Sequence, residues 1–292
     1  MIRTLNGLVF GLLLTQSSMA WEGSQALESG LDSQNILFFE DFEAPDYKDN
    51  WRVHWDRPVG AGIVTGPDGY VFAGKRSAYL QSLGGQHKAL GAGEYVSLEP
   101  IDDMIYARLY LRLDDDFSMG TANQLKLFSI RGGATLKDTY GGAGKRPTGN
   151  NKFSTTLAID KWNELHLYTY HTEQRGGYGE WIYCDGLFCS AELSAGKWHC
   201  VEVMLKANTP GMDDGEVKAW LDGVLVISED GLYFRDNNEV KIRRFSIIDY
   251  FGGGGARNTS PRDQRIYIDN FVISHKPIGC LKQAGSSQEI TQ

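Results

Sequence analysis

The sequence lacks a long hydrophobic run. Its one compact apolar stretch, Gly7–Leu14, is too short to span a bilayer. Arg3 precedes this stretch, and the small residues Ser18 and Ala20 follow it, which is the pattern of an export signal. We therefore expect a signal peptide over residues 1–20, no membrane span, and a mature protein that is secreted or periplasmic.

Positive charge is also scarce. The chain has 29 Lys and Arg against 37 Asp and Glu, a net charge of −8 at pH 7, and it has no basic run. Together with the export signal, this balance argues against nucleic acid as a partner. Any attraction for an acidic ligand must come from a local patch of cations.

A helical period of 3.6 residues nowhere persists for three turns. Short segments of period two are instead separated by turn signals, such as Asp222-Gly223, which is typical of a hairpin turn of the primed type. This regular spacing predicts an all-β fold, a two-sheet antiparallel β-sandwich. We expect a flexible linker over residues 21–35, the sandwich domain over 36–276 and a C-terminal tail over 277–292.

The four cysteines show neither a Cys-x-x-Cys motif nor the paired-histidine spacing of a zinc site. All four follow the export signal, so an oxidising compartment makes disulfides the expected state. A tight turn between Cys184 and Cys189 favours that pair and leaves Cys200 to bond Cys280. Four cysteines permit three pairings, and a metal site is the alternative.

Four segments alternate between apolar and polar residues: Tyr106–Leu113, Gln124–Phe128, Glu164–Tyr170 and Glu216–Leu221. Successive side chains of a strand point to opposite faces, so one face of each segment is expected in the core. The expected core residues are Ala107, Leu109, Leu111, Leu113, Leu125, Leu127, Leu165, Leu167, Val217, Ala219 and Leu221. The other face carries Tyr106, Arg108, Tyr110, Arg112, Gln124, Lys126, His166, Tyr168, Tyr170, Lys218 and Trp220.

If the four strands share one sheet, this second face is a cationic floor with aromatic rings, suited to an acidic sugar chain. The alternative is that any half-exposed antiparallel sheet has a polar face, on which Tyr, Trp and Arg pack well. In that case Arg108 and Lys126 would pair with Glu164 or Glu216 as a solvated charge network.

The order of the segments resembles the jelly roll of the concanavalin A-like lectin/glucanase superfamily. The pieces that carry the resemblance are Phe39-Glu-Asp-Phe42, Gly74-Lys-Arg-Ser77, Gly196-Lys-Trp198, Trp220-Leu-Asp-Gly223, Tyr250-Phe-Gly-Gly253 and Ile268-Asp-Asn-Phe-Val272. Residues 197–274 look most like the jelly-roll polysaccharide lyases that act on alginate or glucuronan. The resemblance implies a concave sugar-binding face, an extracellular acidic polysaccharide as partner, and no cofactor for catalysis.

Glucanases of this fold place two or three carboxylates on one strand, because hydrolysis needs a protonated acid and an ionised partner. Here Glu164 and Glu216 lie on separate segments, and Asp114-Asp-Asp116 falls at a strand end. Hydrolysis is therefore disfavoured, and β-elimination at a uronate is favoured. Elimination needs a cation beside the carboxylate, a base for the C5 proton and an acid for the leaving oxygen.

The similarity to these lyases, whose catalytic Tyr, Lys and Arg lie on inner strands, nominates residues for each role. The catalytic candidates are Tyr168 or Tyr170 as base and acid, His166 as an alternative base, and Arg108, Lys126 or Lys218 as neutralisers. Neighbouring cations are expected to lower the pKa of the tyrosine. The candidates for binding substrate are Tyr110, Arg112, Gln124, Trp220 and the loop residue His87. The Gln-x-His and Tyr-Phe-Lys strands of other lyase families of this fold are absent from the sequence.

Asp41, Glu43 and Asp269 are candidates for a structural calcium site where the terminal strands pair, as in related jelly rolls, since that ion prefers oxygen ligands. The alternative is that they are strand-end carboxylates in solvent. Two other functions fit the same fold. One is a non-catalytic glycan-binding module, and the other is a structural protein of the envelope or matrix.

Overall fold

A computed structural model describes residues 31–47, 51–53, 61–66, 69–87, 94–101, 103–141, 143–184 and 189–281. The expected signal peptide, most of the expected linker and tail, and residues 185–188 of the Cys184–Cys189 turn lie outside these ranges. Within them, fifteen strands form two antiparallel sheets.

Sheet 1 has the order Val224–Leu232 (β13), Gly215–Leu221 (β12), Trp198–Lys206 (β11), Met104–Leu113 (β6), Gln264–Ser274 (β15), Arg76–Ser82 (β4) and Ala61–Thr65 (β3), with Ile36–Glu40 (β1) also paired to β15. Sheet 2 has the order Glu180–Tyr183 (β10), Leu165–Tyr170 (β9), Lys152–Asp160 (β8), Gln124–Gly133 (β7), Lys241–Gly252 (β14), Glu94–Ile101 (β5) and Arg52–Val53 (β2). A 3₁₀ helix, Leu136–Thr139, follows β7.

One apolar core lies between the two sheets, which confirms the predicted β-sandwich. The eleven residues that the alternation assigns to the core are all buried in it. The turn between β12 and β13 is also as predicted, because Asp222 and Gly223 have φ of 52° and 85°, the two positive values of a type I′ turn. The strand patterns therefore specify correctly which face of each strand is buried.

The four alternating segments do not share a sheet, so the condition for a single cationic floor is not met. The strands β6 and β12 belong to sheet 1, whereas β7 and β9 belong to sheet 2. Because the core lies between the sheets, the outward side chains of the two pairs of strands lie on opposite outer faces of the sandwich. The cationic and aromatic residues predicted to form one floor are divided into two groups.

The outer face of sheet 1 is covered rather than open around β6. The ring of Phe72 stacks on Tyr110 with 3.5 Å between centroids. The backbone N–H groups of Ile278 and Gly279 donate hydrogen bonds to the carboxylate of Glu202 on the neighbouring β11. As a result Arg108 is fully buried, and β6 is a strand with both faces inside the protein.

Both predicted disulfides are present. Cys184 is bonded to Cys189 and Cys200 to Cys280, with Cα–Cα distances of 5.8 and 5.9 Å. The second bond attaches the C-terminal segment to β11, so it holds in place the chain that covers the outer face of sheet 1.

A buried carboxyl group joins the two sheets. Asp249 of β14 is fully buried, and the hydroxyl of Ser82 in β4 lies 2.8 Å from each of its carboxylate oxygens. Burial raises the pKa of Asp249 from 3.8 to about 7, and the hydrogen bond from Ser82 opposes this shift. Between about pH 4 and pH 7, Asp249 is therefore protonated in the folded protein and ionised in the unfolded chain.

We expect Asp249→Asn to stabilise the protein at pH 8 and to have little effect at pH 4. Because the folded-state pKa is raised, the cost of the buried charge is present above about pH 7 and disappears as the pH falls towards 4. A shift of this size is worth about 4 kcal/mol at most, so a gain of roughly 2 kcal/mol is expected at pH 8. Urea denaturation of both proteins at the two pH values measures it. An equal effect at both pH values would contradict the assignment.

Candidate functional site

The register of sheet 2 arranges its outward side chains in three rows across the strands. Paired residues of antiparallel strands project to the same face, so each row can be traced from partner to partner. The first row is Tyr183, His166, Ala158, Lys126 and Tyr250. The second is Trp181, Tyr168, Thr156, Ser129 and Ser246. The third is Tyr170, Ser154, Arg131, Arg244 and Ser97. We call this surface the sheet 2 face.

Lys126 lies among aromatic rings rather than carboxylates. Its Nζ is 4.3 Å from the ring centroid of Tyr168 and 5.5 Å from that of Tyr250. Within the described ranges, no carboxylate is within ion-pair distance of it. Burial, together with the positive charge of Arg131, lowers the pKa of Lys126 to about 8. The amine is therefore partly neutral near physiological pH.

Tyr168 and Tyr170 form a hydroxyl pair next to Lys126. Their Oη atoms are 3.2 Å apart, and the backbone N–H of Gly179 donates to Tyr168 Oη at 3.1 Å. Burial raises the pKa of Tyr168 above its usual value, and the contact with Tyr170 adds to this effect. For Tyr168, the expectation of a lowered pKa is wrong, because the loss of hydration outweighs the opposing hydrogen bond from the Gly179 N–H. Tyr168 keeps its proton at neutral pH and can act as an acid.

Two arginines of the third row, Arg131 and Arg244, are not among the site residues predicted from the sequence. Arg131 Nε donates to Ser129 Oγ at 3.0 Å, and Arg244 Nε donates to Ser246 Oγ at 2.9 Å, so hydroxyls of the second row orient both guanidinium groups. Arg131 is half-buried, whereas Arg244 is buried with its guanidinium 4.4 Å from the ring of Tyr140. Arg131 therefore offers a cation at the surface of the sheet 2 face.

A β-bulge explains why Arg131 was missed. The register of β7 shifts between Lys126 and Phe128, so the adjacent Leu127 and Phe128 are both in the core. Beyond the bulge, Ser129 and Arg131 return to the face that carries Lys126. The signal in the sequence is the apolar pair Leu127-Phe128, which interrupts the alternation without ending the strand.

His166 is part of the wall of the site rather than a base exposed to substrate. It is fully buried, its ring stacks on Trp181 at 4.8 Å, and its Nε2 is 3.4 Å from Gln124 Oε1. Burial lowers its pKa to about 4, so it is neutral at physiological pH. Trp181 remains 40% exposed and provides a surface on which a sugar ring can stack.

The remaining sequence candidates lie elsewhere. Arg108, Tyr110, Arg112, Lys218 and Trp220 are on the outer face of sheet 1, away from Tyr168. Arg112 forms an ion pair with Asp115 at 2.6 Å, and Lys218 forms one with Glu216 at 2.9 Å. The loop residue His87 accepts a hydrogen bond from Phe251 N through its backbone oxygen, beside the end of β14.

The three calcium candidates use their oxygens to bind backbone N–H groups. Asp269 accepts from Phe72 and Ala73, Glu43 accepts from Lys75 and Arg76, and Asp41 accepts from Glu43. In the portion of the chain with described coordinates, no cluster of three His, Cys, Asp or Glu side chains is arranged to hold a metal ion. A structural calcium ion at these residues stays a prediction. No helix in the described ranges is long and apolar enough to cross a membrane.

The sheet 2 face thus combines three cationic side chains and four phenols, and its three rows, all within the described residues, include no Asp or Glu. A pair of carboxylates for hydrolysis is not among them. The face can hold an anion near Arg131, take up a proton at Lys126 and release one at Tyr168.

Comparisons with known proteins agree on one fold. The family profile described as polysaccharide lyase 14 matches residues 102–271, more than half of the chain. Among solved structures, alginate lyase vAL-1 from Chlorella virus has a TM-score of 0.65 at 17% identity, over 82% of this chain and 99% of the other. The PL-14 alginate lyase from Aplysia kurodai has a TM-score of 0.56 at 23% identity, over 72% and 86%.

The endo-β-1,4-glucuronan lyase from the fungus Trichoderma reesei has a TM-score of 0.53 at 17% identity, over 82% of this chain and 96% of the other. At these identities the structural similarity establishes the fold, and it confirms the jelly roll that the sequence resembles. No curated protein sequence matches the chain.

Proposed function

The chain belongs to the polysaccharide lyase 14 family, and we propose that it is a secreted enzyme that cleaves an acidic, uronate-containing polysaccharide by β-elimination on the sheet 2 face. The observation that carries this proposal is the composition of the three rows. Lys126, Arg131, Tyr168 and Tyr170 supply cations and phenols without a carboxylate. These are the groups that elimination needs, and a polyanionic substrate would meet no acidic side chain there.

In the proposed reaction Arg131 binds the uronate carboxylate and neutralises it, which makes the adjacent C5 proton more acidic. The neutral amine of Lys126 takes that proton. The electron pair of the C5–H bond forms the C4–C5 double bond, and the C4–O4 bond breaks. Tyr168 Oη donates its proton to the departing O4, so a new reducing end and an unsaturated uronate are released. Exchange with water then restores both side chains.

The roles of Lys126 and Tyr168 follow from their pKa shifts. A lysine whose pKa is about 8 has a free amine on about one molecule in ten at pH 7, whereas a buried tyrosine with a raised pKa is almost wholly protonated. This assignment changes the expectation from the sequence, in which tyrosine was both base and acid. His166, being buried, is given no proton-transfer step.

The arrangement also favours one configuration of the sugar. Lys126 and Tyr168 project from the same face of one sheet, so base and acid reach the ring from one side. In β-D-mannuronate and β-D-glucuronate, the C5 hydrogen and O4 lie on the same side of the ring. In α-L-guluronate, the C5 epimer of mannuronate, they lie on opposite sides. We therefore propose polymannuronate or glucuronan as substrate.

The test is to incubate the purified protein with polymannuronate, glucuronan, polyguluronate and a neutral glucan, and to follow the ultraviolet absorbance of unsaturated uronate ends. Absorbance is expected with one or both of the first two. Cleavage of polyguluronate alone would overturn the one-sided geometry. Binding of a uronate without any product would replace the lyase with a glycan-binding module, and absence of both would favour a structural protein.

A further inference from the structure

The loop that joins β9 to β10 donates a hydrogen bond to the hydroxyl of Tyr168. Residues 171–179 form this loop, and its last residue, Gly179, donates its backbone N–H to Tyr168 Oη at 3.1 Å. If Tyr168 is the acid of the proposed reaction, negative charge develops on that oxygen as the proton leaves. A preorganised N–H aimed at such an oxygen stabilises the charge.

The direction of the Gly179 N–H is set by Gln174. Gln174 is fully buried, and its Nε2 donates to the carbonyl oxygens of Gly176 at 2.9 Å and Tyr178 at 2.8 Å. The Tyr178 carbonyl and the Gly179 N–H belong to one planar trans peptide, so they point in opposite directions. The bond that holds the carbonyl of this peptide therefore also aims its N–H at Tyr168, and it strengthens that N–H as a donor.

The flanks of this peptide are held as well. Glu180, the next residue, bonds His171 Nε2 at 2.8 Å and accepts the backbone N–H of Arg175 at 3.1 Å. Position 179 has no room for a side chain, because a Cβ there would lie 2.8 Å from both the Thr169 oxygen and the Tyr170 ring. The loop is thus built to keep one peptide in one orientation.

We infer that Gln174 is a positioning residue for the reaction: it fixes the Tyr178–Gly179 peptide so that the N–H stabilises the phenolate of Tyr168. The inference rests on the proposed function, since it assigns a purpose to the Tyr168 proton. Gln174 is buried and takes no part in binding the sugar. Its loss should therefore lower turnover and leave substrate binding as it is.

The variants Gln174→Met and Gln174→Leu test this, because both fill the buried position with an apolar side chain and remove the donor to the Tyr178 carbonyl. We expect kcat to fall about tenfold to a hundredfold, less than for direct loss of an oxyanion donor, with KM unchanged. In a Tyr168→Phe background, neither substitution should lower kcat further. Gln264→Met is the matched control, since Gln264 is also buried and braces a loop through Ser118.

Solution NMR gives a readout that does not need activity. The Gly179 amide proton should shift and lose exchange protection in both Gln174 variants and in Tyr168→Phe, but not in Gln264→Met. An active enzyme in which the Gln174 variants keep full kcat, or lose the same factor with and without the Tyr168 hydroxyl, would overturn the inference. A wild-type protein without lyase activity would overturn the proposed function, and the amide signals would then still report whether Gln174 orients this peptide.

Discussion

Replacing Lys126 with methionine is expected to lower lyase turnover by about 10²–10⁴-fold, the usual contribution of a general base. The amine is held among the rings of Tyr168 and Tyr250, and burial lowers its pKa to about 8. Since the free amine is the active form in the proposed reaction, kcat/KM of the wild type should rise tenfold per pH unit up to about pH 8 and then level off. Initial rates of absorbance increase, measured from two pH units below this value to one above, test both statements.

Lys126→Arg separates two roles of the same side chain. Arginine keeps the positive charge but remains protonated, so it can neutralise a carboxylate and cannot accept the C5 proton. We expect it to be as inactive as Lys126→Met. Activity within a few-fold of wild type would instead make Lys126 a neutraliser. Lys206→Met is the control, because Lys206 is a partly buried lysine on sheet 1. Its Nζ donates to the backbone carbonyl oxygen of Asp214 and lies 3.5 Å from the carboxylate of Glu216.

Alternation in the sequence predicts the faces of a strand but not the sheet to which it belongs. The segments that contain Lys126 and Lys218 have the same pattern, and both bury the predicted apolar residues. Which strands pair depends on contacts between distant parts of the chain, and these place β7 in sheet 2 and β12 in sheet 1. The local pattern therefore could not separate the residues of the site from those on the opposite face.

The sequence of a single strand also does not show whether its polar face is buried. Arg108 alternates with apolar residues as a solvent-facing residue would, yet it is fully buried. Its strand is covered by Phe72 and by the segment around Ile278 and Gly279, which come from far away in the sequence. The cysteines predict this cover better than the alternation does, because the predicted bond between Cys200 and Cys280 attaches the C-terminal segment to β11.

The second large effect is expected for Tyr168→Phe, which should lower turnover by about 10²–10⁴-fold through loss of the proposed acid. Tyr170→Phe should cost less, about tenfold to a hundredfold. Its hydroxyl, 3.2 Å from Tyr168 Oη, becomes a donor to the phenolate that forms there, and a hydrogen bond to a charged group is worth about 1.5–3 kcal/mol. The Tyr170 hydroxyl thus acts through the oxygen of Tyr168. The losses of turnover from the two substitutions should therefore not add in the double variant.

The order of these two losses decides which tyrosine carries the transferred proton. Tyr168 is the one whose ring faces Lys126 and whose oxygen receives the Gly179 N–H, so its hydroxyl is the one prepared to lose a proton. A larger loss for Tyr170→Phe would exchange the roles, and full activity of both variants would remove the tyrosines from the chemistry. Tyr267→Phe is the matched control, because Tyr267 is a buried tyrosine on sheet 1 with its hydroxyl bonded to Asp114. Its removal should cost stability and leave turnover unchanged, since the hydroxyl stands on the opposite face of the sandwich.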